Sequence, residues 1–112
     1  MAHKDSYQTS YIRQKAVKGD IGVSSHAQEN MGIRKIWLDE ALEAITSGDE
    51  VEIQSFAGKN VRVLFQESTT DIPRFCVVVA IDHPEAQVVT AFNFDEEKFE
   101  YVEKQKRWRR VK

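Results

Sequence analysis

The chain has 112 residues, of which 41% are hydrophobic and 30% charged, with a formal net charge of −2. This length suits one domain, and the composition is that of a globular protein rather than a disordered one. No apolar run reaches the roughly 18 residues that a membrane span needs, and the first residues lack the apolar stretch of a signal peptide. We therefore expect a soluble domain that acts in the cytoplasm, with delivery inside a larger secreted chain left open. Cys76 is the only cysteine, so no intrachain disulfide can form.

The N-terminal third is predicted to hold short helices. Residues 1–22 are polar and weakly patterned, and we interpret them as an extension that precedes a domain at 23–112. Ser25, followed three residues later by glutamine, fits a capping box and predicts a short helix over about residues 25–31. Apolar residues at helical spacing predict a second helix over about residues 36–48.

The hydrophobic period then changes from helical to alternating. Four strands are predicted, at residues 51–56, 61–65, 75–81 and 88–94, with turns at residues 58–60 and 82–85. The third strand is almost entirely apolar, so both of its faces should be buried, with Cys76 as an inert core thiol. Helices followed by consecutive antiparallel strands predict an α+β fold, with short N-terminal helices packed on the sheet. Asp95 is predicted to cap a last short helix that turns Phe99 and Val102 inward.

The C-terminus is basic and contains a tryptophan. Six of the last nine residues are cationic: Lys104, Lys106, Arg107, Arg109, Arg110 and Lys112. Together with Trp108 they suit phosphate contacts beside a platform for base stacking. The alternatives are a solvated end, or a final strand that balances an acidic body.

Metal and cofactor chemistry is not indicated. The three histidines are scattered, and no Cys/His cluster has ligand spacing; they are His3, His26 and His83. The sequence contains no glycine-rich phosphate loop and no serine nucleophile elbow. We predict a site that needs neither a metal nor a cofactor.

The strongest candidate for chemistry is His26. It lies in the first turn of a predicted helix, with Asn30 one turn later and Arg34 about one turn further. On a continuous helix these three side chains share one side. A histidine beside an arginine near free backbone N–H groups can bind a phosphate and move protons. The alternative is a structural histidine that hydrogen-bonds within a capped helix.

The sequence around His26 resembles a small bacterial family of domains of unknown function. The stretch HAQENMGIRKI at residues 26–36, followed by DEAL at 39–42, is similar to the family pattern H-A-x-x-R-M-x-x-R-G-I with its subsequent helix. The segment VVTAF at 88–92 resembles the family's strand ending V-x-T-x-[YF], and segment 94–100 resembles the family's acidic, aromatic-containing tail. The resemblance covers about residues 24–108.

That family is similar to the barnase–EndoU–colicin–RelE group of ribonuclease folds. The resemblance implies RNA cleavage without metal in toxin–antitoxin or contact-dependent inhibition systems, with RNA as substrate and an antitoxin or immunity protein as partner. His26 matches the motif histidine, Arg34 the second arginine, and Thr90 the threonine of the last long strand. Asn30 stands where the family has its first arginine, and Lys35 where it has glycine.

The implied reaction is attack by a ribose 2′-OH on the adjacent phosphate. His26 would be general base or acid, Arg34 with Arg62 or Lys35 would stabilise the phosphorane, and Thr90 would donate a hydrogen bond. Arg62 alternates with apolar strand residues and could equally lie on a solvated outer face. The residues predicted to bind RNA are Lys35, Lys106, Arg107, Trp108, Arg109 and Arg110. The rival functions are a non-catalytic module that binds protein or RNA, and a regulator that uses the basic tail on DNA.

Overall fold

The computed structural model describes residues 5–56, 59–69, 71–82 and 85–111, without the side chains of residues 56, 59 and 60. The chain forms an α+β fold, as predicted. Its elements, in chain order, are α1 (Tyr7–Val17), β1 (Gly22–Val23), α2 (Ser25–Arg34), α3 (Leu38–Ser47), β2 (Asp49–Phe56), β3 (Lys59–Gln66), β4 (Phe75–Asp82), β5 (Glu85–Asn93), β6 (Phe99–Val102) and β7 (Arg107–Arg110).

Five strands form one sheet in the order β1-β5-β4-β3-β2. The four long strands pair antiparallel with their chain neighbours, which confirms the predicted strand run, while β1 adds to the edge parallel to β5. Strands β6 and β7 form a separate two-stranded hairpin. The predicted turns at 58–60 and 82–85 include residues 58, 83 and 84, which lie outside the described residues.

Apolar side chains pack on both faces of the sheet. On one face the three helices cover Phe65, Val77 and Val79, with Ile45 of α3 in the same cluster. On the other face the β6–β7 hairpin covers Leu64, Cys76 and Val78 with two aromatic side chains, Phe99 and Trp108. Alternate residues of β4 therefore enter different cores, which confirms burial on both faces. Burial raises the pKa of the Cys76 thiol, as expected of an inert core cysteine.

The described part of the N-terminal segment packs into the domain, so the boundary drawn at residue 22 needs correction. The Ser6 hydroxyl accepts a hydrogen bond from the Thr9 N–H and caps α1. Thr9 and Ile12 are fully buried, and the Thr9 hydroxyl donates to the carboxylate of Glu50. Only two buried side chains tie this helix to the core, which is why its sequence carries little amphipathic pattern.

Helix α2 begins at Ser25, as predicted, but runs further than predicted. Ser24, rather than Ser25, is the N-cap, and its hydroxyl accepts from the Ala27 N–H. The helix continues through the predicted stop at residue 32 and ends at Arg34. Lys35 then takes the left-handed conformation, with φ 57°. The extra turn keeps Arg34 on the same helix as His26.

Helix α3 matches its prediction closely and ends where the backbone leaves no room for a side chain. A Cβ atom on Gly48 would lie 1.9 Å from the carbonyl oxygen of Gln66 and 2.5 Å from that of Ala44. Any residue other than glycine would push α3 away from β3. The close contact fixes the angle at which the chain enters β2.

The predicted C-terminal helix is wrong. Residues 95–98 form a turn in which the Asp95 carboxylate accepts from the Glu97 N–H, and a strand begins at Phe99. In β6, Phe99 points into the second core while Glu100 is exposed, as in a strand. Over only four residues, such a pattern cannot be distinguished from one turn of a helix, which is why the sequence predicted a helix here. No helix among the described residues is long and apolar enough to cross a membrane.

Candidate functional site

An open cleft of about 610 Å³ lies on the hairpin side of the sheet. Its apolar floor is formed by Leu64, Val78, Phe92 and Phe99. Residues of α2, of the strands β2, β3 and β5, and of the hairpin region line the cleft. Because the hairpin covers only part of the sheet face, the rest of that face remains accessible to a ligand.

The cleft brings together all four residues predicted to be catalytic. His26 and Arg34 project into it from α2, Arg62 from β3 and Thr90 from β5. Thr90 pairs with Val78, so its side chain lies on the same sheet face as this floor residue. Arg62 lies two residues before the floor residue of β3 and shares its face. The sequence left open whether Arg62 lies on a solvated outer face. Arg62 lies on the sheet face that forms the cleft.

A hydrogen-bond chain joins α2 to β5 inside the cleft. The Asn30 amide nitrogen lies 2.8 Å from His26 Nε2 and 3.2 Å from Thr90 Oγ1. With this nitrogen as the donor, Nε2 accepts and the ring proton of neutral His26 lies on Nδ1. One turn further, Arg34 Nη1 donates to the carbonyl oxygen of Ala91 at 3.1 Å. Asn30 therefore fixes the relative positions of His26 and Thr90.

The charge of the cleft is predominantly positive. Its charged lining consists of one carboxylate, Asp95, and four cationic residues: Arg34, Arg62, Lys98 and Arg110. Arg110 is held by Glu52, with Nη2 2.9 Å from Oε2, and this guanidinium lowers the pKa of the Glu52 carboxyl. No carboxylate pairs with the other three cations in the part of the chain that the structure describes.

The predicted RNA-binding tail is mostly structural. Trp108 is 7% exposed, its Nε1–H donates to the carbonyl oxygen of Pro73 at 2.8 Å, and its ring stacks on Phe94 with centroids 4.7 Å apart. A base cannot stack on a ring buried in this way, so that prediction is wrong for Trp108. Of the alternatives considered, the final strand that balances an acidic body fits the structure.

The cations of the tail have separate positions. Arg107 donates to the backbone carbonyl of Glu50 at 2.6 Å, and Arg109 pairs with Glu100. Lys106 lies in the hairpin turn with φ 53°. Only Arg110 lines the cleft among the residues of the tail, and Lys112 lies outside the described residues. The remaining residue predicted to bind RNA, Lys35, is exposed next to Arg34 but does not line the cleft.

Four polar residues of the cleft were missed by sequence reasoning, namely Gln54, Asn93, Asp95 and Lys98, and Asn30 was placed beside His26 without a predicted role. Asn30 had a detectable signal, because it lies one helical turn after His26. The others had none, since they reach the cleft through strand register and through the hairpin that was taken for a helix. Within the described ranges, no group of three or more His, Cys, Asp or Glu could hold a metal ion. No family model, curated protein or solved structure matches this chain.

Proposed function

We propose that this chain is a metal-independent endoribonuclease of the bacterial toxin type, which cleaves RNA in the cationic cleft. The observation that carries the proposal is the convergence of His26, Arg34, Arg62 and Thr90 on one cleft from three separate elements. A proton-transfer group, two guanidinium groups and a hydroxyl are the parts needed to cleave a phosphodiester without a metal. The excess of positive charge favours a polyanionic substrate in a chain whose net charge is negative.

The chemistry transfers one proton and exchanges one P–O bond for another. When RNA binds, the 2′-OH replaces the Asn30 amide at His26 Nε2. Nε2 then removes the 2′-OH proton while the 2′ oxygen attacks the adjacent phosphorus. The bond from phosphorus to the 5′ oxygen then breaks, and the imidazolium returns the proton to that oxygen. The products are a 2′,3′-cyclic phosphate and a 5′-hydroxyl. A histidine suits both steps because its unperturbed pKa is near neutrality.

The other cleft residues stabilise charge and hold the histidine in place. One N–H group of Arg34 donates to the carbonyl of Ala91, and its other N–H groups can donate to the phosphorane oxygens. Arg62 has no hydrogen-bond or ion-pair partner among the described residues, so its whole guanidinium is available. Thr90 donates its hydroxyl proton to a non-bridging oxygen. Before RNA binds, the Asn30 amide nitrogen contacts both His26 and Thr90 and holds the two side chains in place.

The proposal includes RNA as substrate, an antitoxin or immunity protein as partner, and action in the bacterial cytoplasm. The alternative is a non-catalytic module that binds RNA in the same cleft. One observation favours it: Asp95 is the only carboxylate lining the cleft in the described parts of the chain, and its Oδ1 already accepts from the Glu97 N–H. A site with His26 alone must use one group for both proton transfers.

The experiment is a digest of tRNA and of total RNA by the purified chain, with and without excess EDTA. We expect cleavage in both conditions, with 2′,3′-cyclic phosphate and 5′-hydroxyl ends. Activity that disappears with EDTA and returns with Mg²⁺ or Zn²⁺ would contradict the mechanism. Tight binding of RNA that stays intact would favour the non-catalytic module.

A further inference from the structure

A large aromatic side chain lies exposed beside the cleft. Trp37 is 74% exposed, although a tryptophan of a globular domain usually buries most of its ring. It occupies the N-cap position of α3, where serine, threonine or aspartate is preferred, and its side chain makes no capping hydrogen bond. The helix start is stabilised by the Glu40 carboxylate, which accepts from the Trp37 N–H at 3.0 Å. Neither helix capping nor core packing therefore accounts for the indole.

The end of α2 places this ring next to a cleft cation. Lys35 reverses the chain in the left-handed conformation, with its N–H donating to the carbonyl of Gly32 and the Ile36 N–H to that of Met31. This Schellman motif turns Ile36 into the core, where it is buried. Trp37 then emerges on the surface, three residues after Arg34.

A second path of contacts ties Trp37 to the same end of the cleft. Glu40 Oε2 accepts from Arg74 Nη2 at 3.1 Å, so the start of α3 contacts the start of β4. The Arg74 carbonyl in turn accepts from the Phe94 N–H, directly after the cleft-lining Asn93. These contacts link the start of α3, and with it Trp37, to the end of β5, where Asn93 lines the cleft.

We propose that Trp37 is a stacking platform for an unpaired nucleobase of the strand whose phosphates lie in the cleft. The inference rests on the proposed function and adds a base subsite to it. Stacking on an indole tolerates any base, and it requires a base that is not in a duplex. Arg34 and Lys35, immediately before the platform, contact the phosphates on either side of the stacked base. The substrate class is therefore a single-stranded segment of RNA.

The chain offers a matched control for a protein partner at the same surface. Ile33 is 71% exposed near the end of α2, and Leu38 is 47% exposed at the start of α3. A docking protein would use the aliphatic side chains together with Trp37, whereas a base needs only the flat ring. The charged residues near the tryptophan in the chain, Lys35 and Asp39, also disfavour docking of an apolar protein surface.

The test compares two noncleavable probes of equal charge: a 2′-O-methyl oligonucleotide of mixed sequence and an abasic strand with the same number of phosphates. We expect Trp37→Ala to weaken binding of the oligonucleotide by roughly 5- to 150-fold, the loss of one stacked base, and to leave the abasic strand unchanged. Trp37→Phe should retain most of the affinity, and Ile33→Ala should retain all of it. The probe should quench the fluorescence of wild type and not that of Trp37→Phe, because Trp108 is buried.

The outcomes distinguish failure of the Trp37 base subsite from failure of the proposed ribonuclease function. If both probes bind wild type and Trp37→Ala equally well, the base subsite is overturned while RNA binding in the cleft stands. If Ile33→Ala and Trp37→Ala weaken oligonucleotide binding alike, a general apolar effect replaces stacking. If neither probe binds wild type, the proposed function fails and the subsite fails with it. Melting curves of all variants should match wild type, since these side chains are exposed.

Discussion

Lys35 holds a backbone conformation that glycine adopts far more readily. Its φ of 57° ends α2, and a side chain in this region costs about 1–2 kcal/mol. The family pattern that the sequence resembles has glycine here. A lysine at this strained position, next to Arg34, agrees with a contribution of its charge to phosphate binding, because strained positions often serve function.

The first prediction concerns this backbone strain. Lys35→Gly should raise the free energy of unfolding by about 0.5–1 kcal/mol, since relief of strain exceeds the added chain entropy. It should also weaken RNA binding. Lys106→Gly is the matched control, because Lys106 has φ 53° but lies in the hairpin turn rather than next to the cleft residue Arg34. Urea denaturation and RNA titration of both variants check this. Loss of stability in Lys35→Gly, or unchanged RNA binding, would contradict it.

At the scale of elements, the β6–β7 hairpin is both a part of the core and a wall of the cleft. Trp108 and Phe99 cover the sheet, while Lys98 and Arg110 at its edges line the cleft. Residues 104–112 were predicted to contribute phosphate contacts, with a final strand as one alternative. Removal of this segment would expose the second core, so its effect on RNA binding could not be separated from unfolding.

The hairpin gives a second prediction, on stability. Trp108→Ala should lower the free energy of unfolding by about 3–5 kcal/mol, as for other large buried aromatic residues. Trp37→Ala should change it by less than about 0.5 kcal/mol, because that ring is exposed. Chemical denaturation of both variants measures the contrast. Similar values for the two tryptophans would contradict the assignment of one to the core and the other to the surface.

Comparison of the predicted with the observed elements shows which parts of the fold and of the cleft the sequence could predict. Strong alternation predicted β2 to β5, and helical spacing with a family resemblance predicted His26, Arg34 and Thr90 as site residues. Helix α1 was missed because Thr9 and Ile12 are its only fully buried side chains. The final hairpin was missed because four residues of strand, Phe99–Val102, also fit one helical turn. Lys98 reaches the cleft through that hairpin, and sequence spacing does not encode such contacts.

At the scale of the whole molecule, the cleft collects arginine and lysine side chains that have no carboxylate partner among the described residues. The chain has a net charge of −2, yet three cleft cations lack a carboxylate partner among the described residues. Elsewhere the arginines are compensated, as in the pairs Arg13–Asp5 and Arg109–Glu100. Binding of RNA should therefore depend on the cleft and not on a general basic surface.

The third prediction tests this localisation through salt dependence. Arg62→Gln should reduce the slope of log affinity against log salt by about 0.7, the value for one phosphate contact on a single strand. Arg109→Gln should leave the slope unchanged, because Arg109 pairs with Glu100 and does not line the cleft. Titrations of an RNA oligonucleotide at several salt concentrations give both slopes. Equal reductions in the two variants would indicate binding by overall charge.

The most direct test of the proposed ribonuclease is a paired measurement on His26→Ala. The side chain is exposed at the cleft, so the melting temperature should stay close to that of wild type. Loss of the proton-transfer group should reduce RNA cleavage by roughly 10²–10⁴-fold. If His26 is structural, the melting temperature falls and any cleavage falls only as far as unfolding requires. A well-folded His26→Ala protein that cleaves RNA at the wild-type rate would contradict the proposed mechanism.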